Sequence, residues 1–426
     1  MKYSTKIVST LFASAISTMA FADSPPIARY WIDVANFNSS MPGMSGLAGM
    51  MMNSNKGTSN HFGSTNYGSS GKWMDTALYT SKKPAGTTGS HAIPSGMNMS
   101  SPLPLEPVVM RGSKSTGEHD GYPEKPQGKI LFYWGCGDKV RSGQPRVVDL
   151  AKMSTGEYGN FLQGRYPNQH RGARSIEGNA TWPWSNMTDP PRKYEFVPDS
   201  ASLVGEQTIT GDGVPDNFKF TVDSTYDFMQ KLDLSSSGDS KDSVKLSWNS
   251  VNNAKAYFTN AMGMKENKDM VIWSASEQPE PGWGLMDYLS PSEIDNMLKD
   301  KVILPSSIQT CTIPAGIFAN VQGAVVRAIA YGPELNVVYP PRPASKKSTW
   351  KPDWEARVRT KSLTMTMLGL GQSMSGNGSG ASSSNSNSGG RNYTAEGSSS
   401  ESSNNSNPGT GSVLDKAKKL KGLFGL

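Results

Sequence analysis

Ser243-Val244-Lys245-Leu246-Ser247-Trp248 decides the fold class of this chain, because it alternates strictly between outward polar and inward apolar positions. Val244, Leu246 and Trp248 fall on one face at a period of two, the mark of a strand with one face buried. Similar runs lie on either side. Ala254 to Ala261 carries Tyr257 at its middle, Met270 to Ser274 follows, and Gly323-Ala324-Val325-Val326-Arg327-Ala328-Ile329-Ala330-Tyr331-Gly332 ends before a proline. Earlier strand signals are Tyr30, Ile32 and Val34 on one face, Ile130-Leu131-Phe132-Tyr133-Trp134, and Arg146 to Leu150. Ser202–Thr210 and Asn217–Val222 flank Gly211-Asp212-Gly213, a hairpin turn signal. A mainly β fold of two β-sandwich-like domains is expected, with long Gly/Ser-rich disordered segments and a short C-terminal helix.

The segment 243–343 resembles a fibronectin type III or immunoglobulin-like domain. In that family an early strand carries a core Trp, the next a core Tyr, and a late strand reads V-R-A-x-A-Y-G. The resemblance implies that Trp248 and Tyr257 are core residues, and Trp273 is assigned to core with them. The stretch between Ser274 and Gln322 departs from the compact family pattern. It contains Pro291 to Leu298, a short helix capped by Ser290 or Ser292.

Residues 1–22 read as a signal peptide. Lys2 and Lys6 precede an apolar run from Ile7 to Met19, and Ala20-Phe21-Ala22 has the small-x-small cleavage pattern. Export to the periplasm, the outer-membrane surface or the medium is therefore expected. Removing 22 of the 426 residues leaves 404, enough for two or three domains. No later run of eighteen apolar residues suggests a transmembrane helix in the mature chain. The formal charge falls from +6 to +4 once Lys2 and Lys6 are gone, and no dense Lys/Arg stripe points to nucleic acid. Cys136 and Cys311 are the two cysteines, and in an oxidising compartment such a pair is expected to bond. Closing the 174 residues between them would stabilise by about 5 kcal/mol in the chain-entropy model.

The mature chain divides on composition into an N-terminal strand (23–35), a Gly/Ser/Met-rich flexible insertion (36–104) and a first β domain (105–234). The fibronectin-like unit (243–343), a strand region (344–371), a Ser/Gly/Asn linker (372–412) and a tail (413–426) follow. Ser235 to Ser243 reads as a polar connector. The linker would reach about 35 Å as a flexible coil. In the tail Val413, Leu414, Ala417, Leu420 and Phe424 form an apolar helical face among lysines, a contact for an envelope protein or a membrane surface. The Ala28-Arg29-Tyr30-Trp31 start, the Gly/Met-rich segment, Tyr133-Trp134-Gly135-Cys136 and the Lys421-Gly422-Leu423-Phe424-Gly425 end together resemble a group of uncharacterised exported proteins of Gram-negative bacteria. That resemblance implies export and no particular activity.

Motifs for catalysis are not evident: HExxH, GxSxG and GxxxxGK[ST] do not occur. Non-catalytic binding or scaffolding in the cell envelope is the leading reading. An envelope carbohydrate-active enzyme or other hydrolase, using residues such as Asp149, Glu157 and Glu206, is the alternative. No cofactor is expected. Met41, Met44, Met50, Met51 and Met52 have spacing suited to Cu(I), a second alternative; a flexible interaction segment is the stronger reading. Trp182, Trp184 and Trp283 could stack on a polysaccharide ring. Asp212-Gly213-Val214-Pro215-Asp216 resembles a calcium-loop core, but two carboxylates are thin for that ion and a plain turn is favoured.

Overall fold

A computed structural model describes residues 24–39, 70–82, 88–107, 128–152, 180–182, 197–239, 241–282, 284–321, 323–344 and 350–368. The protein is mainly β. Its strands are β1 (Ala28–Ser39), β2 (Gly71–Thr80), β3 (Gly89–Ala92), β4 (Leu103–Pro107), β5 (Lys129–Trp134), β6 (Arg146–Asp149), β7 (Ala180–Trp182), β8 (Gly205–Gly211) and β9 (Lys219–Val222). They continue with β10 (Leu234–Ser237), β11 (Val244–Trp248), β12 (Ala256–Met264), β13 (Met270–Ser274), β14 (Leu304–Pro305), β15 (Thr310–Ile313), β16 (Val325–Tyr339) and β17 (Trp354–Met367). Helix α1 spans Pro291–Lys299.

Fourteen strands share one sheet in the order β6-β5-β13-β12-β16-β17-β1-β2-β7-β4-β3-β8-β9, with β14 on β12; a second sheet runs β10-β11-β15. The spine of the large sheet is the long β16–β17 hairpin with β1 laid parallel to β17, Ala28 opposite Trp354 and Ser39 opposite Met365. Strands β1 and β17, distant in the chain, are buried on both faces for most of their length. A parallel strand pair normally demands such burial.

Three layers form around the spine. On one side β3, β4, β8 and β9 fold over β1, β2 and the Trp354–Val358 part of β17, closing a core of Tyr30, Ile32, Val34, Met74, Leu78, Phe218 and Trp354. Farther along, the three-stranded sheet packs Val244, Leu246 and Trp248 onto Tyr257, Trp273, Val326 and Ala328. The opposite face of that region carries α1, whose Ile294 and Met297 meet Phe258, Ile329, Tyr331 and Leu363. Helix α1 is where the sequence placed it, and Ser290 is the cap: its side chain accepts from Glu293 N–H while Glu293 answers to the Ser290 N–H. The Gly211–Gly213 hairpin forms between β8 and β9.

Several expectations need correction. The stretch 36–104, expected to be flexible, contributes the end of β1, then β2, β3 and the start of β4. Small and polar residues hide these strands from a periodicity reading, because both faces of β2 are largely covered. Met97, within that same stretch, is fully buried in the first core. The polar connector expected from Ser235 to Ser243 begins inside β10, whose Ser235–Ser237 side chains face solvent while their backbone pairs with β11. Strands β5 and β6, from the expected first β domain, extend the sheet beside β13.

Candidate functional site

On β1 and β17 the side chains that do not enter the first core turn to the opposite face, and there the alternation produces charge rather than hydrocarbon. Asp33 stands opposite Arg359 on β17 and opposite Asp75 on β2. Asp33 and Lys361 are completely buried, and Asp75 nearly so. Arg359 grips Asp33 with two parallel bonds, Nε to Oδ1 at 2.7 Å and Nη2 to Oδ2 at 2.5 Å. Lys361 Nζ donates to Asp287 Oδ1 at 2.9 Å. Tyr288 lies between the two cations, its ring centroid 4.5 Å from the Arg359 guanidinium and 3.9 Å from Lys361 Nζ. Its hydroxyl donates to Val34 O at 2.9 Å. The segment connecting β13 to α1 is thus tied to two central strands, β1 and β17, by Asp287 and Tyr288.

Electrostatics explain why the cluster survives burial. Burial alone would push the Asp287 carboxyl up, but the charges of Lys361 and Arg359, with the bonds from Lys361 and the Tyr288 N–H, hold it below the usual carboxylate range. Burial works against the Arg359 charge too, and the Asp33 carboxylate more than restores it. Lys361 is lowered by burial, with Asp287 opposing. Arg357, beside Trp31 at 5.9 Å from the ring centroid, is lowered to about 10 by burial and by the neighbouring Arg359 charge. Pairs of this kind fix geometry.

A second polar group lies inside the first core. Gln207 Nε2 donates to Leu203 O at 2.8 Å, so its Oε1 accepts from His91 Nε2–H, also at 2.8 Å. His91 Nδ1 then accepts from the Tyr30 hydroxyl at 2.9 Å. Burial depresses the imidazole to about 4, against the opposing Gln207 bond, so His91 is neutral at physiological pH. Burial raises the Tyr30 phenol. The ring is locked in one tautomer among apolar neighbours, which suits a structural role.

Cys136 and Cys311 form a disulfide. It joins the segment after β5 in the large sheet to β15 in the small one. Hydrogen bonds fix both sides of this junction, holding Gly135 to β13 of the large sheet and Gly137 to β15 of the small one. Trp273 Nε1 donates to Gly135 O at 3.0 Å, Gly135 N to Ser274 O at 2.9 Å, and Gly137 N to Thr312 O at 2.9 Å. Gly135 has φ of 92°, and the Arg141 guanidinium lies where its Cβ would be. Arg141 bridges to Glu277 with 2.9 Å between Nη2 and Oε1 and donates to Cys136 O.

Other sequence-derived candidates fare differently. Trp182 is on β7, paired opposite Thr76 of β2. Trp184, Trp283, the methionines at 41, 44 and 50–52, Glu157 and the tail residues Val413, Leu414, Ala417, Leu420 and Phe424 lie outside the described residues. Asp149, half-buried, pairs with Lys152, and the exposed Glu206 pairs with Lys219. The Asp212 carboxylate accepts from Thr88 Oγ1 at 3.2 Å, tying the β8–β9 turn to the start of β3. Among the described residues no group of three or more His, Cys, Asp or Glu is placed to hold a metal ion, and no helix is long and apolar enough to cross a membrane.

The ion cluster escaped sequence reading. Its residues are spread over positions 33 to 361, and its one legible trace is that Asp33, Arg359 and Lys361 interrupt apolar faces of otherwise good strands. Comparison of the chain with protein-family models, with curated proteins and with solved structures gives no match in any of the three.

Proposed function

We propose that this chain is an exported, non-catalytic component of the Gram-negative cell envelope, acting by binding or scaffolding. The observation that carries the reading is the closed ion cluster. Asp33–Arg359 and Asp287–Lys361 neutralise one another within the fold, so the most conspicuous buried charges fasten a loop to the sheet. Export is supported by the Cys136–Cys311 bond, which persists in oxidising compartments.

The fibronectin type III-like reading of 243–343 belongs to the same proposal. It is supported by β11 with Trp248 lying in the smaller sheet, facing β12 with Tyr257 and the late strand β16 across a shared core. The partner contact in this reading is the amphipathic tail 413–426, held on its 372–412 linker. Twelve residues from Val413 to Phe424 are too few to hold a helix in water unaided, so the helix forms on the partner.

Cell fractionation followed by crosslinking and identification of bound proteins tests this. The expected result is an envelope location and a co-purifying envelope protein or membrane fraction, lost on deletion of residues 413–426 or in Leu420→Asp/Phe424→Asp. A cytoplasmic location, or a deletion that changes neither location nor partner, overturns it.

A further inference from the structure

At the tip of the β16–β17 hairpin, aromatic rings run from the first core out to the surface. Phe218 is fully buried, Trp354 stacks on it at 4.5 Å between centroids and 13° between planes, and Tyr339 stacks on Trp354 at 5.5 Å and 11°. Three nearly parallel rings therefore lead from the core to the surface. The outermost, Tyr339, is 42% exposed. One face of its ring rests on Trp354, which leaves the other for solvent.

The stack is rigidly mounted. Tyr339 is directly opposite Trp354 in the ladder, Asp353 N donates to Tyr339 O at 2.7 Å, and Ile27 N and Ala28 N both donate to Asp353 O. Pro340, Pro341 and Pro343 stiffen the chain that follows, since each fixes its own φ. A second ring completes the tip. Trp350 Nε1 donates to Pro340 O at 3.0 Å, and the Arg342 guanidinium lies 5.4 Å from the Trp350 ring centroid. Arg342 and Lys351 are exposed and Asp353 is half-buried, so the segments that carry the two rings also carry hydrogen-bonding groups of both signs. Beneath Tyr339 the Trp354 indole N–H is buried with no acceptor among the described residues.

We propose that this tip is a binding platform for a polysaccharide, with one pyranose ring lying on Tyr339 and its neighbour in the chain reaching the Trp350 side. A pyranose has a flat face of C–H groups and a rim of hydroxyls, which matches one fixed aromatic face on a hairpin tip that also carries Arg342, Lys351 and Asp353. Holding the ring in place beforehand removes part of the ordering cost of binding. A membrane surface fits less well, because the apolar area is two rings set among charges. The inference deepens the envelope-binding reading by naming a ligand class, and it rests on Tyr339 and Trp350 in place of Trp182, Trp184 and Trp283.

Affinity electrophoresis of the full mature chain through gels holding glycol chitin, hydroxyethyl cellulose, soluble starch or solubilised peptidoglycan tests the proposal. At least one polymer is expected to retard the protein. Tyr339→Ala should weaken that binding roughly tenfold, the loss of about 1.4 kcal/mol, with Tyr339→Trp retaining it and Trp350→Ala weakening it. Tyr339→Ala should still melt in one cooperative transition, lowered by a few degrees at most, because the side chain is 42% exposed. Migration unaffected by all four polymers, equal retardation of wild type and Tyr339→Ala, or binding of a polyproline peptide in place of any glycan overturns the platform. The chain lacking residues 413–426 should be retarded like wild type, so a failed tail and a failed platform give different results.

Discussion

Asp33 and Arg359 occupy opposite ends of the sequence and one point in space, and removing either charge strands the other in a buried site. Asp33→Asn or Arg359→Leu is expected to destabilise the protein by about 3–5 kcal/mol, read from urea unfolding. Replacing both with apolar residues of similar volume should cost less than the two single changes together, because no orphan charge remains. His91 makes a separate, pH-dependent contribution. Its folded value near 4 lies below the ordinary unfolded one of about 6.5, so between these limits the unfolded chain binds the extra proton. Stability from this group is complete above about pH 6.5 and falls by about 3 kcal/mol as pH drops to 4. Unfolding free energies measured from pH 7 to 4 should show this fall in the wild type and lose that share in His91→Leu. Asp287 adds a further acid-sensitive share at lower pH, since its carboxyl is held below the normal range.

Among the elements, α1 and the β5–β15 junction have distinct supports. Ser290→Ala removes the capping box of α1 and should cost about 1 kcal/mol, with Ser290→Asp restoring most of it. The junction is held by the disulfide together with the backbone bonds around Gly135. Cys136→Ser/Cys311→Ser should lower the unfolding free energy, by up to about 5 kcal/mol in the chain-entropy model, while the far-UV spectrum stays native. Gly135→Ala faces both a φ of 92° and the Arg141 side chain, and should destabilise even with the disulfide intact. Gly332 is similarly constrained. It sits at the register shift between Tyr331 and Glu334, where a Cβ would overlap Thr360 and Met229. Helix α1, the β8–β9 hairpin and strands such as β11 and β17 were legible in the sequence because each is written in local signals: a cap, a Gly-Asp-Gly turn, an alternation. Strands β2 and β10 were not. The first is covered on both faces, and the second is polar and held by backbone pairing alone.

At the scale of the whole molecule, the large sheet joins segments that composition would assign to different units. β1 comes early in the sequence and lies beside β17, while β5 and β6 extend the edge formed by β13. Such pairings are non-local, so partial truncation should not leave an independent half. Removal of residues 24–39 is expected to expose the apolar faces of β2 and β17 and give an insoluble or molten product, measurable by dye binding and loss of near-ultraviolet dichroism. By itself the sequence determined the mainly β character, the core roles of Trp248 and Trp273, the inward face of Tyr30, and the single pairing open to two cysteines. These follow from local periodicity, from side-chain hydrophobicity and from counting. The tertiary structure alone decided that β1 runs parallel to β17, that Asp33, Arg359, Asp287 and Lys361 meet, and that Phe218, Trp354 and Tyr339 form one stack reaching solvent. Each depends on which distant strands become neighbours. That choice is made by the summed burial of whole faces, which no local stretch of sequence encodes.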